Sequence, residues 1–260
     1  MLSQSESQIL ESQVLLKDLT WEPLEVQGSS NRLYKARVLP GTLEFTREIR
    51  PYSHWILRWN ADEKSCFGVD RALEQDVLMS IDGFSWSPDI IYLDPQGRFL
   101  VLPCYETVSE PFLFTSIQPL LSQLQTLDNV PKMQYPALFE RYRLALANDI
   151  QGQELLAKLV RLFQHLPDKN HSLVHHDLHP GNILLDGSSL KIIDWEYAGL
   201  GCPWLDLAAV SRFCELTYQD IQSLPIGVNR SEEEIAQYMK LAAAFNQILS
   251  GLWCRVRDTD

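Results

Sequence analysis

The amino-acid sequence predicts an α+β fold, with a β-rich first part and a mainly helical second part. Short apolar runs bounded by turn residues dominate the first hundred residues. Beyond residue 105 most apolar side chains recur at helical spacing. A chain of 260 residues suffices for one large domain or two modest ones. We therefore expect a first domain over 1–104 and a second over 105–260.

The first part is expected to form an antiparallel sheet with one helix before it and one inserted helix. Apolar spacing predicts the leading helix within 5–19 and the inserted helix over 69–78. Asp94-Pro95-Gln96-Gly97 is typical of a tight turn between two strands. Strands are predicted at 24–26, 33–38, 55–59, 90–93 and 99–102.

The second part is expected to be helical on both sides of a short strand segment. Helices are predicted at 117–127, 137–148, 153–165, 204–217 and 231–254. Apolar runs in the middle predict strands at 173–174, 183–185 and 190–193. A turn at Asp186–Ser189 would close a hairpin between the last two of these strands.

The charge balance argues against polyanionic partners. The chain has 22 basic and 34 acidic residues, a net charge of −12 and a pI of about 4.9. Capture of nucleic acid or an anionic membrane surface is therefore not expected, and a cationic ligand suits the chain better.

The cysteines and the apolar segments indicate a reducing, aqueous compartment. Five cysteines lie far apart without a C-x-x-C pair, so we expect reduced and mostly buried thiols. Residues 1–19 lack the pattern of a secretion signal, and no apolar run reaches the length of a membrane span. The protein is expected to be soluble and cytoplasmic.

The densest polar cluster in the chain is the segment 175–182, which contains three histidines between two apolar runs. The predicted hairpin would bring the residue after its second strand back beside this segment. Asp177, Asn182 and Asp194 could then converge, and oxygen ligands of this kind suit Mg²⁺.

The same residues carry a resemblance to a known family. His175, Asp177 and Asn182 follow the spacing H-x-D-x-x-x-x-N, and Ile-Asp-Trp-Glu follows at 193–196. This pattern resembles the aminoglycoside phosphotransferase and choline kinase superfamily, which is related to the protein kinases. The resemblance implies a protein-kinase-like bilobal fold and the transfer of the γ-phosphoryl group of ATP, with Mg²⁺, to a hydroxyl of a small molecule.

The resemblance also implies roles for individual residues. Asp177 would orient and deprotonate the substrate hydroxyl, as phosphoryl transfer requires. Asn182 and Asp194 would hold Mg²⁺ against the nucleotide phosphates. His175 would brace the loop and Asp206 would anchor it from a neighbouring helix.

In the first domain the family analogy points to a basic residue paired with a carboxylate that together clamp the α- and β-phosphates. Arg58 and Glu74 fit these positions. Protein kinases use lysine there, whereas the choline kinase side of the superfamily is similar to this sequence in using arginine.

Two further nucleotide contacts follow from the same analogy. The turn after Gly28 would cover the phosphates through Ser29, Ser30 and Asn31, although it has one glycine where protein kinases have G-x-G-x-x-G. Leu102 and Cys104 lie where a hinge would hold the adenine ring.

Other interpretations of these residues remain open. The histidines of 175–179 could bind zinc or serve only the structure. Arg58 and Glu74 could form a surface ion pair, and Asp206 could be a helix N-cap. Ser29 and Ser30 could be plain turn residues.

The acceptor is expected to be a small cationic alcohol. Trp195, Glu196 and Tyr197 could hold a cation against ring faces and a carboxylate. The segment 194–199 resembles the thiamine kinase and choline/ethanolamine kinase branches more than the antibiotic-resistance enzymes. Gly68-Val69-Asp70-Arg71 and the Trp-rich C-terminal helix favour thiamine kinase, with choline or ethanolamine kinase next. An aminoglycoside or aminosugar acceptor remains an alternative. A kinase-like module that binds nucleotide or metabolite without turnover is an alternative of another class.

Overall fold

The computed structural model describes residues 1–24, 31–38, 52–61, 67–108 and 111–258. The chain divides into two compact units: the described residues of Met1–Cys66 and Pro88–Glu106 form unit 1, and those of Phe67–Ser87 and Thr107–Asp260 form unit 2. The division differs from the expected boundary at 104 in two respects. Unit 1 extends to Glu106. Segment 67–87 belongs to unit 2, because Trp86 packs on Trp195 there.

Unit 1 is a five-stranded antiparallel sheet with a short helix at its start. Its elements are α1 (Gln4–Glu11), β1 (Glu22–Pro23), β2 (Arg32–Arg37), β3 (His54–Trp59), β4 (Tyr92–Leu93) and β5 (Phe99–Pro103). The strands lie in the order β1-β2-β3-β5-β4. The core of the unit is rich in aromatic rings, and Phe99 stacks on both Trp59 and Tyr92.

Local sequence signals explain how the elements of unit 1 begin and end. Ser3 and Glu6 form a capping box at the start of α1, and the helix ends at Glu11 rather than continuing to residue 19. The predicted turn between β4 and β5 is confirmed. Asp94 accepts hydrogen bonds from the amides of Gln96 and Arg98 and pairs with the Arg98 guanidinium.

Unit 2 contains most of the helices and two small strand pairs. Its helices are α2 (Arg71–Ser80), α3 (Phe114–Leu124), α4 (Tyr135–Ala145), α5 (Ile150–His165), α6 (Trp204–Val210), α7 (Tyr218–Gln222) and α8 (Glu232–Asp258). Its strands are β7 (Ser172–Val174), β8 (Ile183–Asp186), β9 (Ser189–Ile192) and β10 (Gly199–Gly201). A two-residue strand, β6 (Glu106–Thr107), lies where the chain passes from unit 1 to unit 2.

The long helix α8 connects several elements of unit 2. Asn246 donates a hydrogen bond to the Leu205 carbonyl in α6, and Arg255 pairs with Asp149 at the start of α5. Three glutamates occupy its first turn, where carboxylates interact favourably with the helix dipole.

The helices α6 and α7 and the strand β10 of unit 2 differ from the sequence prediction. The helix expected over 204–217 ends at Val210, and a separate helix starts after Thr217, because Thr217 and Asp220 form a capping box. The strand β10 was not predicted, and it pairs antiparallel with β7. The α+β class of the fold is confirmed.

No helix in the described part of the chain combines the length and the apolar character needed to cross a bilayer. Cys104, Cys202, Cys214 and Cys254 are free thiols, of which Cys202 and Cys214 are buried and Cys254 is exposed. Cys66 lies outside the described residues.

Candidate functional site

The loop 175–182 lies between β7 and β8 in unit 2, and the β8–β9 hairpin fixes its far end. Ile183 of β8 is opposite Ile192 of β9. One residue further out, the Ile193 amide donates a hydrogen bond of 3.0 Å to the Asn182 carbonyl. This register places Asp194, the next residue, beside the end of the loop, as the hairpin prediction required.

Asp206 at the start of α6 holds the other end of the loop. Its two carboxylate oxygens accept hydrogen bonds from the amides of His175 and His176, at 2.8 and 2.9 Å. The carboxyl group is buried, and burial raises its pKa against the lowering effect of His175 and these amides. The contacts are those expected of an anchor rather than of a helix N-cap.

His175 is buried and braces the loop from within. Its Nδ1 accepts from the Asp177 amide at 3.3 Å, so the proton resides on Nε2, which donates to the Ile193 carbonyl at 2.9 Å. Burial lowers the pKa of His175 and keeps the ring neutral. The Trp195 ring packs against it at 4.6 Å between centroids.

Asp177 presents a half-exposed carboxylate that hydrogen bonds hold in place. Asn182 Nδ2 donates to the Asp177 carbonyl at 2.9 Å and to Asp177 Oδ2 at 3.4 Å, and His179 Nε2 lies 3.6 Å from Oδ2. Burial alone would raise the pKa of Asp177, but the interactions with His179, His175 and Asn182 outweigh it and lower the pKa. The group is therefore ionised at neutral pH and able to accept a proton.

His179 caps the 3₁₀ turn Pro180–Asn182. Its Nδ1 accepts from the Gly181 amide at 3.0 Å, which leaves Nε2 facing Asp177. The neighbouring Asp177 carboxylate raises the pKa of His179. A Cβ on Gly181 would lie 2.8 Å from the His179 ring, so glycine allows the ring to lie over the turn.

His176 points away from the Asp177 carboxylate and into the core of unit 2. It has a φ of +66° and its Nε2 is hydrogen-bonded to the Tyr135 hydroxyl, a partner that the sequence did not reveal. Burial lowers the pKa of His176 to about 4. A Cβ on Gly201 would lie 2.7 Å from the Tyr135 hydroxyl, which explains a glycine in β10.

The loop offers oxygen atoms that could hold a divalent cation such as Mg²⁺. Asn182 uses its amide nitrogen toward Asp177, so the amide oxygen is the atom that could bind a cation, beside Asp194. In the described ranges, no three His, Cys, Asp or Glu side chains group as a metal site. His175 uses both ring nitrogens within the protein, which removes support from the zinc interpretation.

The three predicted acceptor contacts follow Asp194, and two of them are turned into the protein. Trp195 is 1% exposed and donates from Nε1 to the Ile192 carbonyl, so its predicted contact with a substrate has no support in the structure. Glu196 is buried and pairs with Arg71 at 2.9 Å. Tyr197 is partly buried, with its hydroxyl 3.5 Å from the Phe67 carbonyl.

Sequence reasoning missed two basic residues of unit 2. Arg71, at the first position of α2, donates to Glu74 as well as to Glu196. Lys191 of β9 is buried and donates to the Ser87 carbonyl at 2.9 Å. The Arg71–Glu74 pair is local, at i,i+3 spacing in α2. The contacts of Arg71 with Glu196 and of Lys191 with Ser87 depend on tertiary packing, and no local motif marks them.

The predicted nucleotide contacts of the first domain are only partly described. Asn31 is buried and accepts a hydrogen bond from the Ala61 amide at 3.2 Å. Ser29 and Ser30 lie outside the described residues. Arg58, in β3 of unit 1, is buried, whereas Glu74 belongs to unit 2, so their pairing stays a prediction.

The expected hinge residues lie at the end of β5. Leu102 is opposite Ile56 in the sheet, and the Cys104 amide donates to the His54 carbonyl at 3.0 Å. Their contact with an adenine ring also stays a prediction.

Comparison with known proteins gives a family match to part of the chain. Residues 119–224 match the phosphotransferase enzyme family, APH. Thiamine kinase of Escherichia coli O9:H4 (strain HS) is 51% identical over 51 residues, which are 20% of this chain and 18% of that protein. Protein LicA of Haemophilus influenzae is 27% identical over 135 residues, 46% of this chain and 40% of that protein. The chain thus spans less than half the length of these curated relatives.

Solved structures resemble the chain over nearly its whole length. The choline kinase LicA from Streptococcus pneumoniae has a TM-score of 0.69 at 18% identity, with 99% of this chain and 92% of that chain covered. A structure of LicA in complex with AMP has a TM-score of 0.68 at 20% identity, over 99% and 92% of the two chains. The predicted kinase-like fold is confirmed.

Proposed function

Because residues 119–224 match the phosphotransferase enzyme family, we propose that the chain is an ATP- and Mg²⁺-dependent small-molecule kinase. It transfers the γ-phosphoryl group of the nucleotide to a hydroxyl of a small, cationic alcohol. The observation that carries the proposal is the loop geometry: Asn182 holds the Asp177 carboxylate while the hairpin register brings Asp194 beside Asn182.

In this proposal Asp177 is the proton acceptor for the substrate hydroxyl. Its carboxylate is half exposed, its pKa is lowered, and His175 and Asn182 fix its orientation. Phosphoryl transfer depends mainly on positioning and charge, so an oriented carboxylate meets the chemical requirement.

The oxygen atoms of Asn182 and Asp194 would hold Mg²⁺. Bound there with the nucleotide, the ion would neutralise charge that develops on the phosphoryl oxygens. Asp206 and His175 keep this loop in place without contacting substrate. Use of a nucleotide is supported by the similarity to LicA in complex with AMP.

Thiamine is the favoured acceptor, and choline or ethanolamine come next. The short match to thiamine kinase supports thiamine, and the longer match to LicA supports choline or ethanolamine. Since Trp195 and Glu196 face the protein interior, Tyr197 is the acceptor contact that the proposal retains from the sequence.

A phosphoryl-transfer assay tests the proposal. Purified protein with ATP and Mg²⁺ is incubated with thiamine, choline, ethanolamine, an aminosugar or an aminoglycoside, and the phosphorylated product is identified by mass spectrometry. We expect transfer to thiamine, and Asp177→Asn should lower kcat about 10²–10⁴-fold because the proton acceptor is lost.

The matched control is Asp82→Asn, which changes an exposed aspartate beyond the end of α2. It should leave kcat unchanged. Full activity of Asp177→Asn would overturn the role of Asp177, and nucleotide binding without transfer to any acceptor would favour a silent binding module.

A further inference from the structure

Arg71 connects two buried carboxylates of unit 2. Its Nη1 atom lies 2.7 Å from Glu74 Oε2 and 2.9 Å from Glu196 Oε2. The two glutamate side chains are 3% and 5% exposed, and that of Arg71 is 20% exposed. Charges removed from water to this extent need a paired and hydrogen-bonded partner, so the bridge constrains all three side chains.

The bridge fixes the chain just beyond Asp194. Glu196 is two residues after Asp194, and the intervening Trp195 packs against His175 and Trp86. Before Asp194, the Ile193 amide is bonded to the Asn182 carbonyl. The backbone is therefore held on both sides of Asp194, which itself has a φ of +65°.

The other end of the bridge is the first turn of α2. The Asp70 side chain caps this helix by accepting from the amides of Ala72 and Leu73, and Arg71 and Glu74 lie in the same turn. A shift of this turn would move Arg71 and would thereby displace the Glu196 carboxylate that it holds.

We propose that Arg71 is a positioning residue that fixes the Asp194 carboxylate for metal binding by tying Glu196 to α2. The inference rests on the proposed function, since it assigns Asp194 to the metal. It adds a residue outside the loop motif on which the affinity of the site for a divalent cation depends.

The test measures Mn²⁺ binding by electron paramagnetic resonance with a non-hydrolysable ATP analogue, which requires no turnover. Arg71→Gln removes the charge that holds Glu196, and we expect Mn²⁺ affinity at least about 10-fold weaker, the scale seen when supporting groups of a metal site are lost. Arg71→Lys retains a cation with several hydrogen-bond donors, so its Mn²⁺ affinity should fall less than that of Arg71→Gln.

The matched control is Arg143→Gln. Arg143 pairs with Glu140 three residues away, as Arg71 does with Glu74, but both side chains are more than half exposed. The control should bind Mn²⁺ as the unchanged protein does. Circular dichroism and urea unfolding verify that each variant is folded.

Binding of Mn²⁺ to Arg71→Gln within twofold of the unchanged protein would overturn the inference. If Arg71→Gln does not fold, Glu196→Gln decides instead: a weakening of about 10-fold supports the inference, and unchanged affinity overturns it. In the double variant the two losses should not add, because both remove the same bridge. Failure of the proposed function is distinguishable, because the unchanged protein would then bind Mn²⁺ and nucleotide but phosphorylate no acceptor.

Discussion

Asp206 stabilises the loop because one carboxylate accepts two successive backbone amides in a buried position. In Asp206→Asn the amide oxygen can replace one acceptor, but the NH₂ group would face the second N–H. We expect a loss of about 1–3 kcal/mol in the free energy of unfolding, the cost of a buried polar group without a partner. Urea unfolding measures it.

The same substitution should lower kcat, because the amides of His175 and His176 set the backbone that carries Asp177. Asp82→Asn is the control for stability as well, and should stay within about 0.5 kcal/mol. An Asp206→Asn protein as stable and as active as the unchanged one would show that the loop does not depend on this anchor.

His176 gives the stability of unit 2 a pH dependence with a definite sign. Burial lowers its pKa from 6.5 to about 4, so between these values the unfolded chain binds more protons than the folded one. This contribution to stability is present above pH 6.5 and is lost as the pH falls toward 4. The loss is about 3 kcal/mol by linkage.

His176→Asn tests this because asparagine does not titrate in this range and tolerates a positive φ. The stability difference between the unchanged protein and the variant should shift by about 3 kcal/mol from pH 7 to pH 4. Substitution of the exposed His171 by asparagine should leave the pH dependence unchanged. The prediction would be contradicted if stability depended on pH in the same way in His176→Asn and in the unchanged protein.

At the scale of elements, the β8–β9 hairpin is the piece on which the site geometry depends. Its two-residue turn has Gly187 at a φ of +62°, as a turn with glycine at its first central position requires. No heavy atom lies within 4 Å of a Cβ built on Gly187. Gly187→Ala should therefore cost only conformational strain, about 1–2 kcal/mol in unfolding free energy.

The neighbouring Ser188→Ala is the control, since Ser188 is exposed and lacks a positive φ. It should leave stability nearly unchanged. The hairpin register should survive in Gly187→Ala, because Ile183 and Ile192 are both fully buried. A loss of activity larger than the loss of folded protein would show that the register has slipped.

The sequence predicted the elements whose signals are local and periodic. Helix α8 and the hairpin follow from apolar spacing and from a glycine turn, and both were expected at nearly their observed bounds. The strand β10 was missed because Gly-Leu-Gly carries no alternation, and β7 holds it in place by pairing. The early end of α6 depends on a competing capping box at Thr217.

In the candidate site, too, the residues with local sequence signals were predicted and the long-range contacts were not. The loop residues His175, Asp177 and Asn182 are close in sequence, so their spacing revealed them. The burial of Trp195 and the pairing of Glu196 with Arg71 connect residues more than 100 positions apart, and no local pattern reports such a contact. The fold and the loop were therefore predictable, and the family resemblance also implied His175 and Asp206 as supports of the loop. The contacts of Trp195 and Glu196 were not predictable.

At the scale of the whole molecule, unit 2 is discontinuous in sequence. Segment 67–87 contributes the Arg71 bridge, the Trp86 ring packed on Trp195, and the Ser87 carbonyl that accepts from Lys191. A fragment that begins at 107 would lack all three contacts, two of which involve buried charged side chains.

We therefore expect fragment 107–260 alone to lack a cooperative unfolding transition. A fusion of 67–87 to 107–260, through a flexible linker as long as the omitted segment 88–106, should restore it. The same fusion with Arg71→Gln and Trp86→Ala is the control and should unfold at lower urea, because the contacts and not the added length stabilise the unit. Far-ultraviolet circular dichroism against urea concentration measures the unfolding of the fragment, the fusion and the substituted fusion. Equal unfolding midpoints for the fragment and the fusion would show that 67–87 does not belong to the core of unit 2.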